Sequence, residues 1–292
     1  MKYSRKWFAA GSTMVIGAAA ALSAPGISPA TAKPAPVPQV YVALGDSFSA
    51  GPLIAPQTDL LTCARSARNY PGLLAGDLTL AAFRDVTCSS ATTADFTSSQ
   101  APNVPGAPPA PPQYDALSAD TTLVTVGIGG NDIGLVGLAY GCINLLPAPL
   151  GTSCKQANGT AYEQKVDAFA PTYGTVIEEI RTRAPKAKIV MVGYPTALPV
   201  GGCYPLVPVW AQDATYMQSL IDRLNARMEE QARLHRAIYV DTRTSSIGHD
   251  ACQVPGVKWI EGLVPTSDSI PLHPNALGMQ NDERQVLAAL LG

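Results

Sequence analysis

The chain has 292 residues, 47% of them hydrophobic and 14% charged, with 26 Pro, 25 Gly, 6 Cys and 3 His. These proportions exclude a disordered tail, a collagen and a coiled coil, and they fit one or at most two globular domains. Lys and Arg total 20 against 22 Asp and Glu, a formal net charge of −2, so no phosphate-tracking basic surface is expected and no nucleic-acid partner with it.

Lys2, Arg5 and Lys6 open the chain, Trp7 to Leu22 is apolar and rich in small residues, and Ala30-Thr31-Ala32 supplies an A-x-A site. That order reads as a secretory signal over residues 1–32, cleaved near Lys33. The apolar stretch is short for a bilayer, interrupted by Gly11, Ser12 and Thr13 and followed by Pro-rich sequence, so an uncleaved anchor is the weaker reading. Loss of three cations and no acid takes the net charge from −2 to −5. A secreted, monomeric mature chain with no stable membrane insertion is expected.

After a linker over residues 33–39, the run Val40–Leu44 reads as a buried strand ending at Gly45-Asp46-Ser47. In an open parallel sheet, ligands bind beyond the carboxyl ends of the strands, which puts Ser47 at the mouth of any cleft. Alternatively, Asp46 or Ser47 simply caps the following turn. Asn69–Ala82 has a short helical pattern with Pro71 near its first turn, and Phe83–Thr87 is a weaker strand candidate. Ala101–Pro112 carries six prolines, which forbids helix and central strand and predicts an extended loop. Thr122–Val126 is the next strand, running into Gly127-Ile128-Gly129-Gly130-Asn131-Asp132. Asp132 stands where a dinucleotide fingerprint needs its third glycine, so these glycines fit close backbone approach to a ligand, with the Asn131 amide as a donor. Gly141–Gly159 reads as a disulfide-tied excursion; its Asn158-Gly159-Thr160 is a glycosylation sequon by pattern and a turn by preference. Helical patterns at Tyr162–Ala184, Val209–His235 and Ala276–Leu291 alternate with strands at Lys188–Val192 and Ala237–Val240, which predicts an α/β three-layer sandwich with a parallel sheet.

The six cysteines (Cys63, Cys88, Cys142, Cys154, Cys203, Cys252) all follow the signal. An even count in an exported chain suggests three disulfides, and pairing of chain neighbours would staple three loops, although six cysteines allow fifteen connectivities. No H-E-x-x-H or C-x-x-C occurs and histidines are few, so neither metal nor other cofactor is expected. Among the histidines, His235 ends a helix and His249 sits in a turn, both fitting structural roles, while His273 in a late loop before Pro274-Asn275 is the candidate base.

Gly45-Asp46-Ser47, Gly129-Gly130-Asn131-Asp132 and His273-Pro274-Asn275, in that order at strand ends, resemble the blocks of the SGNH hydrolases, also called GDSL lipases and esterases. The signal and six cysteines resemble the secreted actinobacterial branch. The resemblance implies a flavodoxin-like five-stranded sheet of order 2-1-3-4-5. It implies Ser47 as nucleophile, His273 as general base, and an oxyanion hole of the Ser47 N–H, a second-block N–H and the Asn131 side chain. Two positions depart from the family pattern. Ser90 stands where the second block usually has glycine, which a main-chain donor tolerates if its conformation is not glycine-like. Ile270 stands where an aspartate usually orients the histidine, so the carbonyl of Ile270 is the expected orienter, with Asp268 as the competing carboxylate.

The resulting expectation is a secreted serine esterase or lipase acting on a small-molecule or lipid ester. A carbohydrate acetyl esterase or a phospholipase is the alternative within the enzyme class, and an extracellular binding protein is the alternative outside it. Trp210, Trp259, Tyr204 and the loop Leu145–Leu150 are candidates for an acyl groove, or for loop packing.

Overall fold

The computed structural model describes residues 38–292. The signal expected over residues 1–32, and the linker as far as residue 37, lie outside the described residues. Five strands, β1 (Gln39–Gly45), β2 (Leu80–Asp85), β3 (Leu123–Gly127), β4 (Lys188–Val192) and β5 (Ile238–Val240), form one sheet. Every neighbouring pair is parallel, in the order β2-β1-β3-β4-β5. The order reverses between β1 and β3, whose registered pair Gly45 and Gly127 lies at their carboxyl ends, and it is at such a switch point that a crevice opens.

Among the described residues, eight α-helices accompany the sheet: α1 (Ser47–Ala50), α2 (Tyr70–Asp77), α3 (Leu135–Gly141), α4 (Cys154–Asn158), α5 (Ala161–Arg183), α6 (Ala211–Leu234), α7 (Thr242–Ser245) and α8 (Ala276–Leu291). Side chains alternate across β1, as strand geometry requires. Val42 and Leu44 join Val166, Tyr173, Ile177 and Ile180 of α5 and Leu224, Met228 and Ala232 of α6 in one core. Tyr41 and Ala43 face the other way, into a core with Leu74 of α2 and Met279 and Val286 of α8. The spacings of three and four along α5 and α6 put one apolar stripe of each helix against the sheet. A third core beneath the loops joins Leu138 and Cys142 to Leu198, Met217, Leu220 and Ile260.

The cysteines pair as chain neighbours: Cys63–Cys88, Cys142–Cys154 and Cys203–Cys252. One expected boundary shifts, and two elements add to what was expected. The helix expected over Asn69–Ala82 ends at Asp77, and Leu80–Asp85 is the edge strand; that strand is only half-buried and alternates weakly, so its period is hard to read in sequence. The excursion 141–159 contains α4, started by Ser153, whose hydroxyl accepts from Gln156 N. A short hairpin, Gln57–Asp59 with Arg65–Ser66, gave no signal in the sequence. Among the described residues, no helix is long and apolar enough to cross a membrane.

Candidate active site

β1 delivers Ser47 through a turn that only glycine fits. Gly45 has φ +147, and a Cβ there would stand 2.5 Å from the Gly127 carbonyl oxygen and from Ser49 Oγ. The Gln113 amide brackets Gly45, accepting from its N–H at 2.8 Å and donating to its carbonyl at 3.0 Å. Asp46 then caps α1, its Oδ1 accepting from Phe48 N at 2.9 Å, so the capping reading of this motif holds for Asp46, while Ser47 lines the cavity.

Ser47 Oγ lies 2.8 Å from Nε2 of His273, across 226 residues of chain. Both side chains are buried. His273 Nδ1 lies 2.8 Å from the carbonyl oxygen of Pro271. A carbonyl only accepts, so Nδ1 carries the proton and Nε2 is left as the acceptor for the serine hydroxyl. Burial pulls the imidazole down to about 4, against the Pro271 hydrogen bond, which raises it. The ring is therefore neutral, and able to accept a proton, over most of the pH range.

The orienting carbonyl is Pro271, not Ile270. Leu272 is held at φ +61, a left-handed turn that brings round the carbonyl two residues before the histidine in place of the one three before. The Ile270 carbonyl instead accepts from Ser269 Oγ at 3.2 Å, and Asp268 is exposed, with no hydrogen bond to the imidazole. The loop itself is fixed from below. Glu261 N donates to the His273 carbonyl at 2.9 Å, and the buried Glu261 carboxylate meets Lys258 Nζ at 3.0 Å and takes hydrogen bonds from Asn275, Ser267 and Thr266. Burial pushes that carboxyl up, but those donors overcome it and hold it at about 2.

Three N–H donors line the cavity beside Ser47. The main-chain N–H groups of Ser47 and Ser90 have no acceptor among the described residues. Asn131 Nδ2 donates one hydrogen to Ala91 O at 2.9 Å, leaving its second free. Ser90 corrects an expectation: its φ is +71, the glycine-like region, so serine occupies a conformation that costs it of order 1–3 kcal/mol. The surrounding loop holds it there. Cys88 is tied to Cys63, Ser89 N donates to Cys63 O at 2.9 Å, Gln100 Nε2 donates to Ser89 O at 2.7 Å, and Ser90 Oγ donates to Asn103 Oδ1 at 3.0 Å. Asp132, next to Asn131, accepts from Thr93 N and Oγ1 and so ties the two donor loops together.

The cavity above Ser47 and His273 has a volume of about 700 Å³. Its lining includes Leu53, Leu60, Leu61 and Val104, Leu138 and Tyr140 of α3, and Leu198, Met217, Ile221 and Ile260. No lysine or arginine lines it, and Asp46 is its sole carboxylate. The aromatic candidates for an acyl groove lie elsewhere. Trp210 Nε1 donates to Leu146 O at 2.9 Å and Tyr204 to Leu145 O at 3.2 Å, fastening the loop 145–150, while Trp259 stacks on His249 at 3.6 Å. His235 pairs with Glu178 at 2.8 Å on the outer surface.

Residues 43–280 match the GDSL-like lipase/acylhydrolase family. The chain belongs to that family. It is 40% identical over 266 residues to Lipase 2 of Streptomyces coelicolor, covering 87% of this chain and 88% of the relative. Among solved structures, it superposes on an extracellular lipase from Streptomyces rimosus with TM-score 0.69 at 27% identity, and on a phospholipase A1 from Streptomyces albidoflavus with TM-score 0.66 at 28% identity. Each covers 87% of this chain, and 98% and 99% of the neighbour. This GDSL-family chain is accordingly a carboxylic-ester hydrolase. Sequence reasoning missed Pro271, Gln113, Glu261 and Tyr194. Only Tyr194 carried a signal, since it follows β4 at the carboxyl edge where ligands are expected.

Proposed function

We propose that the chain is an exported serine esterase that hydrolyses neutral lipid esters through an acyl-enzyme on Ser47. The observation that carries this reading is the 2.8 Å contact between Ser47 Oγ and His273 Nε2 in a largely apolar cavity with no cationic side chain in its lining. Nε2 takes the hydroxyl proton as Oγ adds to the ester carbonyl, while the Nδ1–H stays on Pro271 O and fixes the ring. The oxygen that becomes negative receives hydrogen bonds from the N–H groups of Ser47 and Ser90 and from Asn131 Nδ2, each worth about 3 kcal/mol to the transition state. Nε2–H then protonates the leaving alcohol. Water repeats the sequence on the acyl-enzyme and frees Ser47. The unit is a dyad with a carbonyl orienter, since among the described residues no carboxylate bonds to the imidazole.

The cavity lining favours a long acyl chain over an acetyl group on sugar, which would call for polar partners. The absence of a lysine or arginine from that lining favours a neutral ester over a glycerophospholipid. Export is supported by three disulfides, which persist in oxidising compartments. Ser47→Ala is expected to abolish both ester turnover and covalent labelling by an organophosphate, and the parent is expected to prefer long acyl esters of neutral alcohols. Turnover surviving in Ser47→Ala would overturn the assignment, as would a binding protein that neither labels nor turns over.

A further inference from the structure

Tyr194 stands at the carboxyl end of β4, buried, where its one hydroxyl serves two loops. Its Oη–H donates to Asp46 Oδ2 at 2.5 Å, and the same oxygen accepts from Gly130 N at 2.9 Å. Asp46 immediately precedes Ser47, and Gly130 immediately precedes Asn131. The hydroxyl therefore bolts together the two chain segments that carry two of the three proposed oxyanion donors. Its main chain is fixed in turn by Asn225 of α6, whose amide accepts from Tyr194 N and donates to Tyr194 O, each at 2.8 Å. Its ring meets Phe48 edge-on with centroids 5.1 Å apart, and Phe48 packs on the His273 imidazole at 4.8 Å. A side chain at position 130 would crowd this arrangement, a Cβ there standing 3.2 Å from Tyr194 Oη, so that the hydroxyl would have to give by a few tenths of an ångström.

From this geometry we infer that Tyr194 is a positioning residue for the oxyanion hole, holding Asn131 in register with the Ser47 N–H through the Gly130 main chain. The inference rests on the proposed hydrolytic reading of the site. Its physical content is that a phenol is needed, because the position must donate to a carboxylate and accept from a main-chain N–H at once. Phenylalanine would fill the same volume and leave both partners buried without a bond. Gly130 and Asn131 would then be free to drift, and oxyanion stabilisation is lost with misplacements of an ångström or less.

A double-mutant cycle on the full-length enzyme tests it, with kcat and KM measured on one soluble ester for the parent, Asn131→Ala, Tyr194→Phe and the double variant. Tyr194→Phe is expected to lower kcat by about 10- to 100-fold with KM changed by less than about twofold, and to cost less than about threefold more in the Asn131→Ala background, because the interaction it protects is already gone. Multiplying penalties, or a kcat within about threefold of the parent in Tyr194→Phe, would overturn the inference while leaving the hydrolytic reading intact. If Asn131→Ala itself retains full kcat, it is the oxyanion assignment that fails. Should Tyr194→Phe fold poorly by thermal melt, Asp46→Asn, which keeps the shape and replaces the carboxyl acceptor by an amide, is expected to show the same kcat loss and the same non-additivity with Asn131→Ala.

Discussion

At Ser90 and His273, single side chains sit in environments that set testable limits on the chemistry. Ser90 is held at φ +71, and its proposed contribution is a main-chain N–H, so Ser90→Gly keeps the donor and relieves the strain. It is expected to retain kcat within about threefold. Ser90→Pro removes the N–H and fixes φ near −65°, and is expected to lower kcat by about 100-fold or more if the N–H stabilises the oxyanion. Equal activity of the two in steady-state assays would remove Ser90 from the site. For His273, burial places the proton loss at about 4, well below the ordinary imidazole range near 6.5. The ring is then a competent base above that value, and the acid limb of kcat/KM is expected near pH 4 rather than near 6.5. The same displacement bears on stability. Between about 4 and 6.5 the unfolded chain binds this proton and the folded chain does not, so this residue's contribution falls as pH falls through that window. An acid limb near 6.5 in a pH–rate profile would contradict the buried, carbonyl-oriented imidazole.

Among the elements, the loops beyond the sheet hold the candidate groups, and the disulfides divide between those near the donors and those far from them. Cys63–Cys88 closes a loop over a sequence separation of 25 and anchors the segment that presents Ser90, whereas Cys203–Cys252 closes one over 49 and has no chain neighbour in the cavity lining. Loop-closure entropy makes the first worth about 3.5 kcal/mol and the second about 4. Replacing both cysteines of either pair by serine is therefore expected to lower Tm by similar amounts. Only the Cys63/Cys88 variant is expected to lose kcat as well, by about tenfold at a temperature where both are folded, because Ser90 can then relax from its left-handed conformation. Thermal melts beside kcat measurements check this, and a matching kcat loss in the Cys203/Cys252 variant would show that the tether has no local role.

Across the whole molecule, two helical layers cover the sheet, and α8 carries Asp282 into the buried layer with no salt bridge to it among the described residues. Burial pushes the Asp282 carboxyl up to about 8, against the Asn281 hydrogen bond and the attraction of Arg284. An unfolded chain releases that proton near pH 4, so the folded state holds one more proton between about 4 and 8 and stability falls as pH rises through that window. Asp282→Asn has no proton to lose, and its Tm is expected to exceed the parent's by several degrees at pH 9, with the gap closing toward pH 4. A gap independent of pH would contradict the buried, protonated carboxyl. Fold and site were legible to different depths. Regular alternation of apolar runs with helical stripes gave the parallel sheet, because a strand buried on both faces has to be apolar throughout. Gly45-Asp46-Ser47, Gly129-Gly130-Asn131-Asp132 and His273-Pro274-Asn275 marked the site through local chemistry repeated at strand ends, and the even cysteine count called for disulfides. The half-buried edge strand β2 stayed hidden because its pattern is weak. What the chain order of residues could not decide was which backbone atom faces the imidazole, since one left-handed residue, Leu272, shifts the acceptor from Ile270 to Pro271. Nor could it decide that Tyr194 meets Asp46 across 148 positions. Local pattern fixes which groups are available, but hydrogen bonds between distant segments depend on distances of a few tenths of an ångström that only the packed sheet and its loops set.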